Sequence, residues 1–509
     1  ATLKTQLITV YGDTFKLPDV AIGKNNAGGE IEVLKHLPAN RQMGSFRIEG
    51  WLEADGKRLS TEQEYAFHRL RRPRFWGQDA PQSMFGIHTL PNPRHLTMAK
   101  AAGLNWIRTI PASPIVSWAN LEPAKGEWRW DDADIYRMRQ YKFSLLASMM
   151  TTPPWANTLS REDAPKTIWG VPEMKEFDNY VKQFVTRYKG IVQAYDVWNE
   201  PWYVGQLVGG FANGAAQYPK EPAKVFADLA KVVYDNVHAL DPKAPVVSLG
   251  LGSGEADDAS PVLLGAYEIR NWDSLILRAG AYSHADTLYG HMYLNNELNL
   301  FPGDRVETLL KSVNKALAYF KITDNKKEYW NTEGSPMQVT LKQGLYLRTF
   351  PEAQRDDLVQ EGNIMARYLA SSVANGIAKT FLYTLHAQWY ALAHIQFNSM
   401  SVGGGWMHPV GSAIAESAWQ LDGTRFVKRL DLGKGVYAYL YQADGRAAAA
   451  VSSGPEFSLW TLPAPIPAGL EVLDTFGNPV ATGHKFDGNL VWVDAKAVAD
   501  LERFLTQAQ

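Results

Sequence analysis

The chain has 509 residues, 46% of them hydrophobic and 20% charged, and a formal net charge of -2. One hydrophobic core cannot organise that length, so two or three domains are expected, and the near-neutral charge offers no field for nucleic acid or an anionic membrane surface. There is no cysteine, which excludes disulfides, thiolate metal sites and a cysteine nucleophile, and no apolar run reaches the roughly 18 to 20 residues that span a bilayer.

Ala1 opens the chain with no apolar leader after it. The expectation is an exported protein, periplasmic or extracellular, whose signal has been removed, with the cytoplasm as the alternative. Residues 1–76 read as a β-rich domain. Gln6–Val10, Ile31–Leu34 and Gly44–Leu52 are strand candidates, and Asp55-Gly56 is a hairpin signal. Arg71-Arg72-Pro73-Arg74 reads as a linker.

Residues 77–415 change character. Eight apolar runs alternate with helical stretches: Met84–His88, Trp106–Ile110, Ser144–Met150, Ala194–Trp198, Val246–Leu251, Thr287–Tyr293, Glu328–Thr332 and Thr380–Leu385. Strands of a parallel sheet are buried on both faces, so they read as continuous apolar runs rather than alternation. Glu173–Tyr188 and Pro222–Leu240 are amphipathic at helical spacing. Eight β/α units in this length predict a (β/α)8 TIM barrel. Gly205–Gly214 and Gly403–Gly405 read as loops.

Residues 416–509 lose the helical period. Val436–Tyr441, the turn Asp444-Gly445, Ala447–Val451, Leu473–Val480 and Leu490–Val493 predict a C-terminal β-sandwich. The fold class is therefore α/β: a barrel with flanking β-sandwich domains.

In such a barrel the chemistry sits at the C-terminal ends of the strands, and there the polar residues of this chain collect. His88 ends the first strand, and Arg108 lies in the second. The third runs into Thr151-Thr152-Pro153-Pro154-Trp155-Ala156. Asn199 and Glu200, followed by Trp202, end the fourth. His291 and Tyr293 lie on the sixth, Glu333 ends the seventh, and His386 and Trp389 follow the eighth. A carboxylate at the end of a buried strand is costly to desolvate unless it has a task. Glu200 and Glu333, each closing an apolar-aromatic run, suggest two carboxyl groups facing one cavity.

Trp198-Asn199-Glu200-Pro201 on the fourth strand, with a second glutamate closing the seventh, resembles the clan A retaining glycoside hydrolases. Thr152-Pro153-Pro154-Trp155-Ala156 and the flanking β-sandwich are similar to glycoside hydrolase family 39. The segment Thr332-Glu333-Gly334-Ser335 departs from that family's nucleophile segment. The resemblance implies a glycosidase acting on a poly- or oligosaccharide by double displacement. Glu200 would then be the acid/base and Glu333 the nucleophile, and such chemistry needs the two carboxyl groups about 5–5.5 Å apart. It further implies Arg108 beside Glu333, Asn199 on the sugar 2-hydroxyl, His291 or Tyr293 orienting the nucleophile, and Trp389 under the reacting sugar. His88, Trp155, Trp202 and His386 complete the expected substrate-binding set. A carbohydrate-binding protein on a degenerate barrel and a transglycosylase are the alternatives.

No cofactor and no metal is expected. The chain has no His-Glu-x-x-His, and Gly250-Leu251-Gly252-Ser253-Gly254 completes neither a nucleophile elbow nor a dinucleotide fingerprint.

Overall fold

The computed structural model describes residues 1–23, 42–61, 63–109, 116–251, 263–264, 268–269, 271–294, 302–336, 355–385, 401–402, 406–407, 409–454, 460–481, 483–486 and 488–507. Ile31–Leu34, Gly403–Gly405, His386 and Trp389 lie outside these residues.

Eight parallel strands close into a barrel: Phe85–Ile87, Trp106–Thr109, Ser144–Met149, Ala194–Val197, Val246–Ser248, Thr287–Leu294, Tyr329–Pro336 and Ile377–Leu382. Each pairs with its sequence neighbours, and the eighth closes on the first through Thr380–Phe85, Phe381–Gly86 and Leu382–Ile87. The apolar runs anticipated from sequence supply all eight, with ends that shift by a few residues. The helices between them cover the barrel as their periodicity demands. In Met174–Tyr188 the residues Phe177, Tyr180, Val181, Phe184, Val185 and Tyr188 are buried, at intervals of three and four. Pro222 opens the helix Pro222–Leu240 in the first turn, where its missing N–H is not needed.

The lower half of the barrel is filled by large rings. Trp106 packs edge-on against Trp330 and Phe381. Lys379 lies 4.6 Å from the centre of the Trp106 ring and donates to the carbonyls of Pro81 and Ser83. Gly86 makes room for this cluster, because a Cβ there would sit 2.5 Å from Phe381 Cδ1 and 2.8 Å from Trp106 Cβ.

A six-stranded antiparallel sheet precedes the barrel, built around Thr2–Thr9, Gly44–Ala54 and Gln63–Arg69. Its hairpin turns at Asp55 (φ 51°) and Gly56 (φ 70°), the paired left-handed conformations of a tight two-residue turn. A five-stranded antiparallel sheet follows the barrel. Its strand Val436–Ala443 is buried on both faces. Val436, Ala438 and Leu440 join a core with Leu501, Phe504 and Leu505 of the last helix. Tyr437, Tyr439 and Tyr441 join the barrel core, and Tyr441 donates to the carbonyl of Ala370.

The segment expected as a linker is pinned. Arg71 and Arg74 lie 4.4 and 4.1 Å from the ring centre of Trp419, and Arg71 pairs with buried Glu416 at 3.2 Å. Helix Val410–Leu421 carries both partners and runs through residues 415 and 416, where the sequence reading divides barrel from C-terminal sheet. No helix among the described residues is long and apolar enough to cross a membrane.

Candidate active site

Strict alternation along the seventh strand would turn Glu333 away from the lumen. Trp330 faces inward against Trp106 and Phe381, so a residue three positions on should face outward. The pairing with the sixth strand breaks between those positions. Gly290 opposes Asn331, but the next residue, His291, opposes Glu333, and Thr332 is the extra residue of a bulge. A bulge re-aims the side chains that follow it, and here it returns Glu333 to the lumen. Asn331 patches the interrupted ladder. It accepts from the Met292 amide at 3.0 Å and donates to Tyr368 Oη at 2.6 Å, and Tyr368 donates to the Met292 carbonyl at 2.9 Å.

The neighbouring strand ends are re-aimed by backbone conformation instead. Thr151 (φ 68°), Trp198 (φ 61°), Glu200 (φ 39°) and Leu249 (φ 94°) are left-handed non-glycine residues just beyond the third, fourth and fifth strands. Such conformations cost about 1–3 kcal/mol each and persist where the surroundings hold them.

Arg108 is fully buried at the centre of the site. Its Nε donates to Asp196 Oδ2 at 2.6 Å, Nη1 to Glu333 Oε2 at 3.0 Å and Nη2 to Asn199 Oδ1 at 3.0 Å. Ser148 donates to the same Asp196 oxygen at 3.0 Å. Burial opposes the Arg108 charge, but Asp196 and Glu333 outweigh it and hold the guanidinium pKa above its ordinary value. Glu333 has a second donor, Tyr293 Oη at 2.6 Å. Glu200 accepts from Gln206 Nε2 at 2.7 Å and lies 2.9 Å from His291 Nδ1.

The nearest atoms of Glu200, His291 and Glu333 all lie within 4.8 Å of one another. The two carboxyl groups thus lie side by side at the ends of the fourth and seventh strands. Burial is the largest influence on both and raises both pKa values, Glu200 to about 7. For Glu333, His291 and Arg108 oppose that rise while the Glu200 charge adds to it. Arg108 and Tyr293 touch Glu333 directly, so at neutral pH the ionised form belongs there and the shared proton to Glu200.

His291 is neutral, because burial pushes its pKa down to about 4. Its Nε2 lies 3.5 Å from Arg108 Nη1, and arginine has no acceptor. The lone pair therefore faces Arg108, and the proton sits on Nδ1, donated to Glu200. Burial also keeps His88 neutral. His88 Nε2 donates to the Thr332 carbonyl at 2.8 Å, while Nδ1 faces Glu333 Oε2 at 4.0 Å.

Glu200, His291 and Glu333 have donor types suited to a divalent cation. The Arg108 cation, 3.0 Å from Glu333, already supplies the positive charge at that carboxylate.

His88, Arg108, Asn199, Glu200, His291, Tyr293 and Glu333 come together as the sequence suggested. Trp202 forms a wall beside them, with its ring edge-on to His291 at 5.3 Å. Trp155 has other partners: it donates to the Glu122 carbonyl at 2.8 Å and packs edge-on against Trp118. Three participants were missed. Asp196 is a fully buried acid inside an apolar strand, a signal that was available. Gln206 ends the short 3-10 turn Val204–Gln206, and Tyr383 packs edge-on to His88 at 5.2 Å; nothing in the sequence singled either out.

No family model and no curated protein matches the sequence. Among solved structures, a family 39 glycoside hydrolase from the gut symbiont Bacteroides cellulosilyticus WH2 superposes with a TM-score of 0.68 at 17% identity, covering 97% of this chain and 94% of that one. A glucosidase from Croceicoccus marinus gives a TM-score of 0.49 at 12% identity, covering 82% of this chain and 94% of that one. A GH30 endoxylanase from Clostridium papyrosolvens C71 gives 0.47 at 13%, covering 84% and 97%. The first of these spans nearly the whole chain, so the protein shares the fold of that family 39 glycoside hydrolase: a (β/α)8 barrel with antiparallel sheets beside it.

Proposed function

We propose that the protein is a retaining glycosidase acting on an oligo- or polysaccharide. The observation that carries this reading is the pair Glu200 and Glu333, with carboxyl atoms within 4.8 Å of each other and Arg108 hydrogen-bonded to Glu333 rather than to Glu200. Glu200 gives its proton to the leaving oxygen while Glu333 attacks the anomeric carbon. Glu200, now ionised, takes a proton from water as that water opens the glycosyl-enzyme. Tyr293 and Arg108 hold Glu333 as the anion, and His88 Nδ1 presents an acceptor to a sugar hydroxyl.

The test is a panel of aryl glycosides and polysaccharides, then Glu333→Ala and Glu200→Ala on whichever sugar is cleaved. Each substitution should lower kcat/KM by at least about 1,000-fold on a substrate with a poor leaving group. Azide should restore turnover to Glu333→Ala with inverted product. Activity within tenfold of wild type in either variant would overturn the assignment, and binding without turnover across the panel would favour a sugar-binding role.

A further inference from the structure

We propose that Gln206 is a positioning residue for the general acid, holding the Glu200 carboxyl and the Asn199 amide in one fixed arrangement. The proposal rests on the glycosidase reading and goes beyond it.

Gln206 lies six residues past Glu200 in the loop that leaves the fourth strand, and it bonds three consecutive residues of that strand end. Its Nε2 donates to Glu200 Oε2 at 2.7 Å, and its Oε1 accepts from Asn199 Nδ2 at 2.6 Å. Its backbone carbonyl accepts from the Trp198 indole N–H. Trp198 and Glu200 are the two residues there in left-handed backbone conformations. A strained segment keeps its shape only when its surroundings over-determine it, and Gln206 ties down both sides of the strain.

The amide directions follow from chemistry. Glu200 accepts, so the Gln206 NH2 must face it, and the Gln206 carbonyl must face Asn199. Asn199 then turns its own carbonyl to Arg108, which also donates to Glu333. Donation therefore runs outward from Arg108, through Asn199 and Gln206 to Glu200 on one side and directly to Glu333 on the other. Reversing either amide would set donor against donor or acceptor against acceptor. With His291 on its other oxygen, Glu200 is cradled by two donors, which fixes the carboxyl plane relative to the leaving group.

Acid catalysis matters most for a poor leaving group and least for a good one, and leaving-group dependence therefore separates positioning of the acid from general damage. Gln206→Met keeps the length and removes both hydrogen bonds. On the sugar that the wild type cleaves, kcat/KM for the methyl glycoside should fall about 10- to 100-fold, and for the 2,4-dinitrophenyl glycoside less than about threefold. Losing a donor to the carboxylate should also move the alkaline limb of the pH profile upward. Gln206→Glu, nearly isosteric, should move that limb further by placing a second carboxylate beside the first. Both substrates are read on one sample, so the ratio between them does not depend on how much protein folds. Equal losses on the two substrates with an unmoved limb would reduce Gln206 to a structural residue, and unchanged activity on both would remove any role. An inactive wild type would instead defeat the glycosidase reading itself.

Discussion

Glu200 holds its proton because burial outweighs every group that would remove it. Arg108 and the Gln206 amide both favour the anion, yet the pKa stands near 7. The sign of the pH dependence follows. In the proposed mechanism the acid form expels the leaving group, so kcat/KM should fall as pH rises through about 7. The same limb should be absent for Glu200→Gln on a substrate that needs no acid. Asp196 carries a different burden: fully buried, it anchors the Arg108 Nε. Asp196→Asn should leave Arg108 free to turn and should lower kcat by about 10- to 100-fold, with a smaller change in KM. A comparable rise in KM with kcat intact would place Asp196 on the substrate instead.

Barrel strands depend on which residues face in, and one inserted residue decides this for Glu333. Asn331 makes the insertion tolerable by giving the Met292 amide the partner that the broken ladder denies it. Asn331→Ala should cost about 1–3 kcal/mol for each buried group left unpaired and should loosen Glu333, so thermal stability and kcat should fall together. Gly86→Ala tests the opposite fault, overpacking against Phe381 and Trp106, at about 1–3 kcal/mol of stability; an unchanged urea midpoint would show that the ring cluster yields. These cases mark what was legible in the sequence. All eight strands were readable because parallel burial writes itself as uninterrupted apolar runs. The glutamates were readable because charge ending such a run is conspicuous. The bulge was not, since it is a property of two strands paired, and a sequence gives each strand alone. Trp155 was undecidable for a similar reason: an aromatic just past a strand end lines the pocket or packs behind it according to the turn between. Gln206 had no marker, because a loop glutamine gains meaning only from what it meets.

Across the whole molecule, one helix, Val410–Leu421, touches the N-terminal sheet, the barrel core and the C-terminal sheet. Glu416 on Val410–Leu421 is almost fully buried, and that burial lifts its pKa to about 7, against the pull of Arg71 and Gln420. The folded protein thus holds this proton more tightly than the unfolded chain, whose glutamate releases it near 4.5. The contribution to stability is fully present below about 4.5 and is lost as pH rises through about 7. Melting temperature should therefore decline between those limits, and Glu416→Gln should flatten part of that decline; an identical slope in the variant would locate the effect elsewhere. Trp419 carries the stacked Arg71 and Arg74. Trp419→Ala should release that stretch and make it a preferred site for trypsin, while wild-type protein resists cleavage there.

Tyr11 donates to Asp474, and Asn478 in turn holds the Met43 amide at 2.7 Å. The partners of the first bond are 463 residues apart in the chain. At a synthesis rate of about 5–20 residues per second, the first waits roughly 20 to 90 s for the second. Until then Tyr11 lacks this partner, although Ser45 and His68 meet Ser412 some sixty residues earlier, and the strand edges are open to other nascent chains. Yield of soluble protein should accordingly depend on elongation speed and on chaperone supply more than on the equilibrium strength of the finished fold.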